Sequence, residues 1–201
     1  PWDQLCREVL GADGRDPLTR PALKLFVDAS KQDQHQMTQD VARLFLGMNL
    51  QCAQCHDHPT VKSYKQAHYF GLYAFVSQVK PHVHPQTKQP FLIDTAGMVK
   101  VDFKSVFIPD EKHSTGPRLP DGQELPVPVF EKGQELEQPA KEGLPAIPKF
   151  RPRQLLSEEL PAATNSRFVQ NSVNRLWFML LGRGLVHPLD MLHEANPPSH
   201  P

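Results

Sequence analysis

The sequence predicts a mainly α-helical fold with a proline-rich middle that is irregular or forms β-ribbons. Apolar residues recur at helical spacing in residues 1–80 and again in residues 161–201. The chain contains 21 prolines, and they concentrate in residues 81–160. Because proline fixes φ and lacks an amide donor, this middle zone cannot be a continuous helix or a central sheet. We therefore expect two helical zones joined by extended edge strands and loops.

The composition excludes several classes of function. Lys plus Arg and Asp plus Glu both number 22, so the formal net charge is +0 and no nucleic acid or anionic membrane partner is indicated. No run of about 18 apolar residues predicts a membrane span. Three cysteines are too few for a disulfide framework. The polar N-terminal residues do not form a signal peptide, and we expect the chain to be part of a larger polypeptide.

The first helical zone contains a helix that leads to two cysteines. Thr38 is the expected N-cap, and Asp40 in the first turn faces the helix dipole. The apolar stripe of this helix is Val41, Leu44, Phe45 and Met48, and at the same spacing it reaches Cys52 and Cys55. We therefore expect both thiols on the apolar face, at the C-terminal end of the helix. Pro59 ends the helical region.

Two further helices are predicted in this zone. One is short and amphipathic, ends at Gly11, and carries Trp2, Leu5, Val9 and Leu10 on its apolar face. The other runs from about Ser63 to Val79. Since a short loop separates it from the cysteine-bearing helix, we expect the two to form an antiparallel hairpin.

The middle and last zones carry weaker patterns. Residues 91–94 and 101–109 are strand-like, and Asp121-Gly122 indicates a hairpin turn between extended flanks. In the last zone Asn165 is the expected N-cap of a helix that ends near Gly182 and Gly184. Its expected buried face is Val169, Val173, Leu176, Trp177 and Leu180.

The segment QCAQCHDHP, residues 51–59, contains the pattern Cys-x-x-Cys-His. This is the attachment sequence of c-type haem. Two thiols about one helical turn apart can add to the vinyl groups of a porphyrin, while the next residue places an imidazole under the iron. Cys52 and Cys55 are thus the predicted thioether anchors, and His56 is the predicted proximal ligand. The apolar stripe that precedes them is expected to form the apolar wall that a haem needs.

Three other interpretations of the motif stay open. Zinc could be bound by Cys52, Cys55, His56 and His58, although four ligands within seven residues strain a tetrahedron, unless a remote histidine such as His68 takes part. A redox dithiol needs a stabilised thiolate at a helix N-terminus, whereas here the predicted helix precedes the motif. The third interpretation is a chance pair of buried cysteines with a surface histidine.

Two stretches carry a family resemblance. VARLFLGMNLQCAQCHDHP, followed by YKQAHYFGLYAFVSQV, resembles the planctomycete cytochrome-type domain of unknown function. NSRFVQNSVNRLWFMLLGRGLVHPLDMLHEANPPSHP resembles the opening of the planctomycete-specific domain that follows it. Where the family has Phe after His-Pro and an acidic residue further on, this chain has Thr60 and His68.

The resemblance implies a domain organisation and a location. Residues 1–150 would form a c-type haem-binding domain, helical in 1–80 and extended in 81–150, with the fold of a c-type-cytochrome-like helical haem module. Residues 151–201 would begin a second, planctomycete-specific helical domain. The resemblance also implies a bacterial protein that is periplasmic or otherwise exported.

The function predicted from these observations is electron transfer through one haem c, as a module of a larger redox protein with an unidentified partner protein. The alternatives are a haem enzyme with an open distal side that binds peroxide or another small ligand, and an interaction module stapled by haem or zinc. For the distal iron ligand we expect His68 in the second helix, or failing that His193, because His58 is too close to His56 to cross the porphyrin plane.

Overall fold

The computed structural model describes residues 1–19, 21–23, 33–97 and 99–200. Within these ranges, the elements whose bounds are complete include five α-helices. They are α1 (Trp2–Gly11), α2 (Gln34–Leu46), α3 (Gln66–Val76), α4 (Pro152–Glu159) and α5 (Ser166–Leu181). A short 3₁₀ turn, Cys52–Gln54, lies between α2 and α3.

Six short strands form three separate two-stranded antiparallel sheets. The first pairs β1 (Val79–Val83) with β2 (Pro90–Asp94), the second pairs β3 (Val101–Ser105) with β4 (Ile108–Thr115), and the third pairs β5 (Leu136–Gln138) with β6 (Ile147–Pro148). Since every strand of a two-stranded sheet is an edge strand, prolines are tolerated within β1 and β2.

The expected fold class is wrong. The described residues contain three two-stranded sheets beside the helices, and the fold is mixed α/β rather than a cytochrome-like helical haem module. The strand-like segments 91–94 and 101–109 do form strands, but the second of them turns back on itself and pairs with residues up to Thr115. At Asp121 a turn forms without strands on either side of it. The middle zone therefore contributes ordered hairpins where the sequence pattern indicated loose ribbons.

The main apolar core lies among the helices. α1 packs against α4, and α3 packs against both α2 and α4. Large side chains fill the space between them, and those with almost no exposed surface include Leu10, Leu46, Tyr64, Tyr69, Phe75, Leu156 and Leu160. The predicted domain boundary between residues 150 and 151 stays a prediction; α4, which directly follows it, contacts α1 and α3.

The cysteines are not part of the preceding helix, contrary to our expectation. α2 begins after Asp33, whose side chain accepts a hydrogen bond from the His35 amide, so Thr38 lies inside the helix and is not its N-cap. The helix ends at Gly47, which has φ of 64°. A residue in the left-handed region stops helix propagation, and the apolar stripe therefore does not continue to the thiols.

The expected buried face of α5 is also wrong. Val169, Val173, Leu176, Trp177 and Leu180 are exposed, and the buried residues of the helix are Phe168, Asn171, Ser172 and Asn174. Polar side chains can lie on the inner face because they form hydrogen bonds with backbone groups outside the helix. Asn171 donates to the Leu44 carbonyl at 2.8 Å, and Asn174 exchanges two hydrogen bonds with the backbone of Val186. The expected caps, Asn165 and Gly182, are confirmed.

Candidate functional site

The segment that follows α2 is held against the C-terminal part of the chain. The Leu192 amide donates to the Gly47 carbonyl at 2.9 Å, and the Asn49 amide donates to the Asp190 carbonyl at 2.8 Å. Between them the fully buried Met48 forms an isolated antiparallel bridge with Met191. These contacts fix the backbone of residues 47–49, which lie just before the segment with the Cys-x-x-Cys-His motif.

The motif itself forms one tight turn. The amides of Cys55 and His56 both donate to the Cys52 carbonyl, at 3.1 and 3.2 Å. Ala53, between the cysteines, is completely buried, while both thiols are free and exposed. The turn therefore faces inward through Ala53 and presents two thiols one turn apart at the surface. The expectation that they would lie on an apolar, buried face is wrong, because α2 ends five residues before Cys52.

His56 is oriented by the backbone that follows it. Its Nδ1 lies 2.7 Å from the Asp57 carbonyl oxygen, and since a carbonyl can only accept, Nδ1 carries the proton. In the neutral ring with this tautomer, the lone pair is on Nε2. Metal-binding histidines usually donate their other ring nitrogen to a carbonyl or carboxylate in this way. The arrangement therefore matches an imidazole prepared to bind a metal through Nε2.

Asp57 connects the motif to α3. Its Oδ1 accepts from the Gln66 amide at 2.8 Å, and its Oδ2 lies 3.0 Å from the Lys65 ammonium. Partial burial alone would raise the pKa of Asp57, but the Gln66 amide and the Lys65 charge together hold the pKa below its usual value. The ionised carboxylate thus caps the N-terminus of α3, where the helix dipole favours a negative charge.

The β3–β4 hairpin is attached to the same turn. The Val106 amide donates to the Cys55 carbonyl at 3.0 Å. The buried Gln66 side chain donates to the Lys104 carbonyl at 3.0 Å and lies 3.4 Å from the Gln54 carbonyl. Gln66 therefore joins the motif, α3 and the hairpin.

Gln66→Leu should lower the free energy of unfolding by about 1–3 kcal/mol, because an apolar side chain leaves two carbonyls without their donor. Chemical denaturation measures the change. Gln86→Leu, on the exposed turn after β1, is the matched control and should change stability by less than about 0.5 kcal/mol. Equal effects of the two substitutions would contradict this role of Gln66.

The tip of the hairpin exposes apolar side chains beside the motif. Val106, Phe107 and Ile108 are 60%, 75% and 55% exposed. The Phe107 ring lies 4.8 Å from the His56 ring, centroid to centroid. A cavity of about 460 Å³ extends from His56 along the hairpin and is lined mainly by Lys65, Gln66, Phe103, Phe107, Ile108 and His113. The hairpin thus supplies the apolar surface next to the motif. From the sequence we expected that surface on the helix that precedes the motif.

The two predicted distal ligands do not line this cavity. His68 is buried, its Nδ1 donates to the Ser63 carbonyl at 2.9 Å, and its Nε2 lies 3.9 Å from Asp121. Burial lowers the pKa of His68, although Asp121 opposes that effect. His193 packs edge-on against Tyr64 at 5.6 Å and accepts from the Ala195 amide. Their roles as ligands stay predictions.

His58 is occupied in a local turn. Its Nδ1 accepts from the Val61 amide at 3.1 Å, and its ring lies 5.8 Å from the Tyr64 ring. In the part of the chain that the structure describes, no group of three or more His, Cys, Asp or Glu side chains is placed to bind a metal ion. A chelating set made of Cys52, Cys55, His56 and His58 is therefore not preformed. A haem makes a smaller demand on the protein, since it needs two thiols and one imidazole nitrogen that do not converge on one point.

The residues present fit a c-type haem. The two thiols are exposed one turn apart, Nε2 of His56 makes no hydrogen bond to the described residues, and exposed apolar side chains flank the turn. Sequence reasoning missed the hairpin tip and His113. The alternation of Val101, Phe103 and Ser105 was a visible signal for one strand, but nothing in the sequence indicated that the chain would reverse at residues 106–107.

The first part of the chain matches a known family. Residues 1–81 match the family model described as PSCyt2: Protein of unknown function (DUF1549). The match confirms the resemblance of this segment to a planctomycete-type domain of unknown function, and it assigns no activity or cofactor. No curated protein and no solved structure matches the chain. Among the described residues, no helix combines the length and the apolar character that crossing a membrane requires.

Proposed function

We propose that the chain binds one haem c through Cys52 and Cys55, with His56 as the proximal iron ligand, and transfers electrons as a module of a larger exported bacterial redox protein. One observation carries the proposal: a single hydrogen-bonded turn presents both thiols at the surface and fixes His56 with Nε2 available. The export and the larger polypeptide rest on the family resemblance.

The thiols of Cys52 and Cys55 can react without a redox partner. Each thiol would add across one vinyl C=C bond, forming a carbon–sulfur bond while the thiol hydrogen moves to the neighbouring carbon. No electron is gained or lost in this addition. Because both side chains are exposed, a maturation enzyme can reach them in the folded or partly folded protein. The buried Cys6 cannot take part, and burial raises its thiol pKa to about 11.

The bound haem would supply one-electron chemistry whose potential depends on its ligands and on solvent exposure. His56 would hold the iron, and its bond to the Asp57 carbonyl keeps the ring in the tautomer that binds through Nε2. Phe107 and Ile108 would cover part of the porphyrin. Because the thiols lie at the surface, Cys52 and Cys55 would hold the haem where a partner protein can approach it. This position favours electron transfer over chemistry in an enclosed pocket.

Cys52→Ser and Cys55→Ser should each weaken covalent haem retention, and the double variant should abolish it. The proteins are produced with cytochrome c maturation machinery, and retention is measured after acid-acetone extraction. Cys6→Ala is the matched control, and it should keep its haem. Full retention in the double variant, or an equal loss in Cys6→Ala, would exclude the proposed attachment. Electron transfer is checked on the loaded protein by reversible reduction and reoxidation with a soluble redox dye.

A further inference from the structure

A second histidine reaches the cavity beside His56. His113 lies on β4, and it lines the same cavity as His56, which comes from the motif turn. The two imidazoles are therefore brought to one cavity by different elements of the fold. Neither His68 nor His193 shares this cavity: His193 lines a different one with Asp121, Arg167 and Glu194.

The position of His113 is set by a column of rings. His113 is paired directly with Phe103 across the hairpin, and their ring centroids are 5.4 Å apart with an interplanar angle of 29°. Phe103 in turn stacks on Phe70 of α3 at 4.7 Å and 10°. Because cross-strand aromatic pairs restrict each other's rotamers, the imidazole is held on the cavity side of the hairpin.

The ring nitrogens of His113 are not committed to a strong contact. Nε2 lies 3.7 Å from Glu111 Oε1, which is longer than a hydrogen bond. The side chain is 44% exposed, so its ring can make small adjustments within the cavity while it stays beside Phe103. If the ring turned to bring Nε2 nearer, Glu111 would accept its N–H while Nδ1 bound a metal, as carboxylates next to metal-bound histidines do.

We infer that His113 is the second axial ligand of the haem. The inference rests on the proposed function, because it assigns a residue to the cofactor proposed there. It extends that function in two ways. Two imidazole ligands give a low-spin iron with a lower reduction potential than a histidine and methionine pair. His113 would also tie β4 to the motif, in addition to the bond between Val106 and Cys55.

The test compares His113→Ala with His82→Ala in haem-loaded protein. His82 is the matched control, because it faces Phe91 across β1–β2 as His113 faces Phe103, with ring centroids 5.1 Å apart. Absorption and electron paramagnetic resonance spectra of the ferric protein report the spin state. We expect low-spin iron in the wild type and in His82→Ala, high-spin iron in His113→Ala, and a return to low spin when imidazole is added to His113→Ala.

The outcomes separate this inference from the proposed function. If intact mass shows no attached haem in the wild type, the proposed function fails. If haem is attached but the wild type is high-spin, or His113→Ala stays low-spin, or His68→Ala or His193→Ala shifts the spin state instead, only the inference is overturned. If His113→Ala does not accumulate, His113→Met decides: the inference requires low-spin iron with a raised reduction potential, and an unchanged potential overturns it.

Discussion

Arg153→Met should lower the free energy of unfolding by about 3–5 kcal/mol, the cost of leaving one charge of a buried pair without its partner. Arg153 is 2% exposed. Its Nη1 donates to the carbonyls of Leu10 and Ala12 at the end of α1, at 2.9 and 2.8 Å, and its Nη2 lies 3.8 Å from the buried Asp94. The substitution removes three attachments between α4, α1 and β2, and leaves Asp94 buried.

The effect of Arg153→Met is measured by denaturant unfolding, with Arg151→Met as the control. Arg151 is two residues away and pairs with Glu137 at 3.6 Å in an exposed contact, so its loss should cost at most about 1 kcal/mol. The double variant Arg153→Met, Asp94→Asn should recover part of the loss, because the buried carboxylate charge is removed as well. If the two arginine variants lose the same stability, the buried pair does not have the role assigned to it.

Gly47→Ala should be strongly destabilising, because it combines backbone strain with a steric clash. A Cβ at Gly47 would lie 2.8 Å from Asn171 Oδ1 and 3.2 Å from the Leu189 carbonyl oxygen. The left-handed φ of 64° adds about 1–2 kcal/mol for a residue with a Cβ, and the overpacking adds about 1–3 kcal/mol. Thermal or denaturant unfolding measures the sum.

Gly182→Ala separates the two contributions of Gly47→Ala. Gly182 also ends a helix in the left-handed region, with φ of 80°, and a Cβ there would meet nothing within 4 Å. It should show the backbone cost alone. In Gly47→Ala the contacts of residues 47–49 with residues 190–192 should also loosen, which faster amide hydrogen exchange would report. Equal losses in the two variants would mean that the packing around Gly47 is adaptable.

Local patterns predicted the helices better than their ends and faces. α1 ends at Gly11 as expected, and the Asn165 cap was identified because both signals lie within a few residues of the helix end. The end of α2 was missed, since Gly47 can be tolerated inside a helix and the bonds of residues 47–49 to residues 190–192, which accompany its left-handed turn, join segments that lie far apart in sequence. The buried face of α5 was wrong for a related reason: Asn171 and Asn174 are buried with bonds to the backbone of Leu44 and Val186, outside the helix, which hydrophobic periodicity does not register.

The candidate site was predictable in its chemistry and not in its surroundings. Cys52, Cys55 and His56 are recognisable by spacing alone. The wall beside them depends on the bond between Val106 and Cys55, which are about 50 residues apart, and on the local reversal of the chain after Ser105. That His113 lines the same cavity as His56 was therefore not visible in the sequence; His68 was favoured by its place in the predicted hairpin, and His193 by the family resemblance and its proline-rich loop.

The most direct measurement of the central claim is tandem mass spectrometry of tryptic peptides from protein produced with cytochrome c maturation machinery. Cleavage after Arg43 and Lys62 releases residues 44–62, which contain Cys52, Cys55 and His56 and exclude Cys6. We predict that this peptide carries the mass of one haem, attached at both cysteines, and that the peptide containing Cys6 is unmodified. An unmodified peptide 44–62 from protein that was matured in parallel with a cytochrome c control would contradict the account.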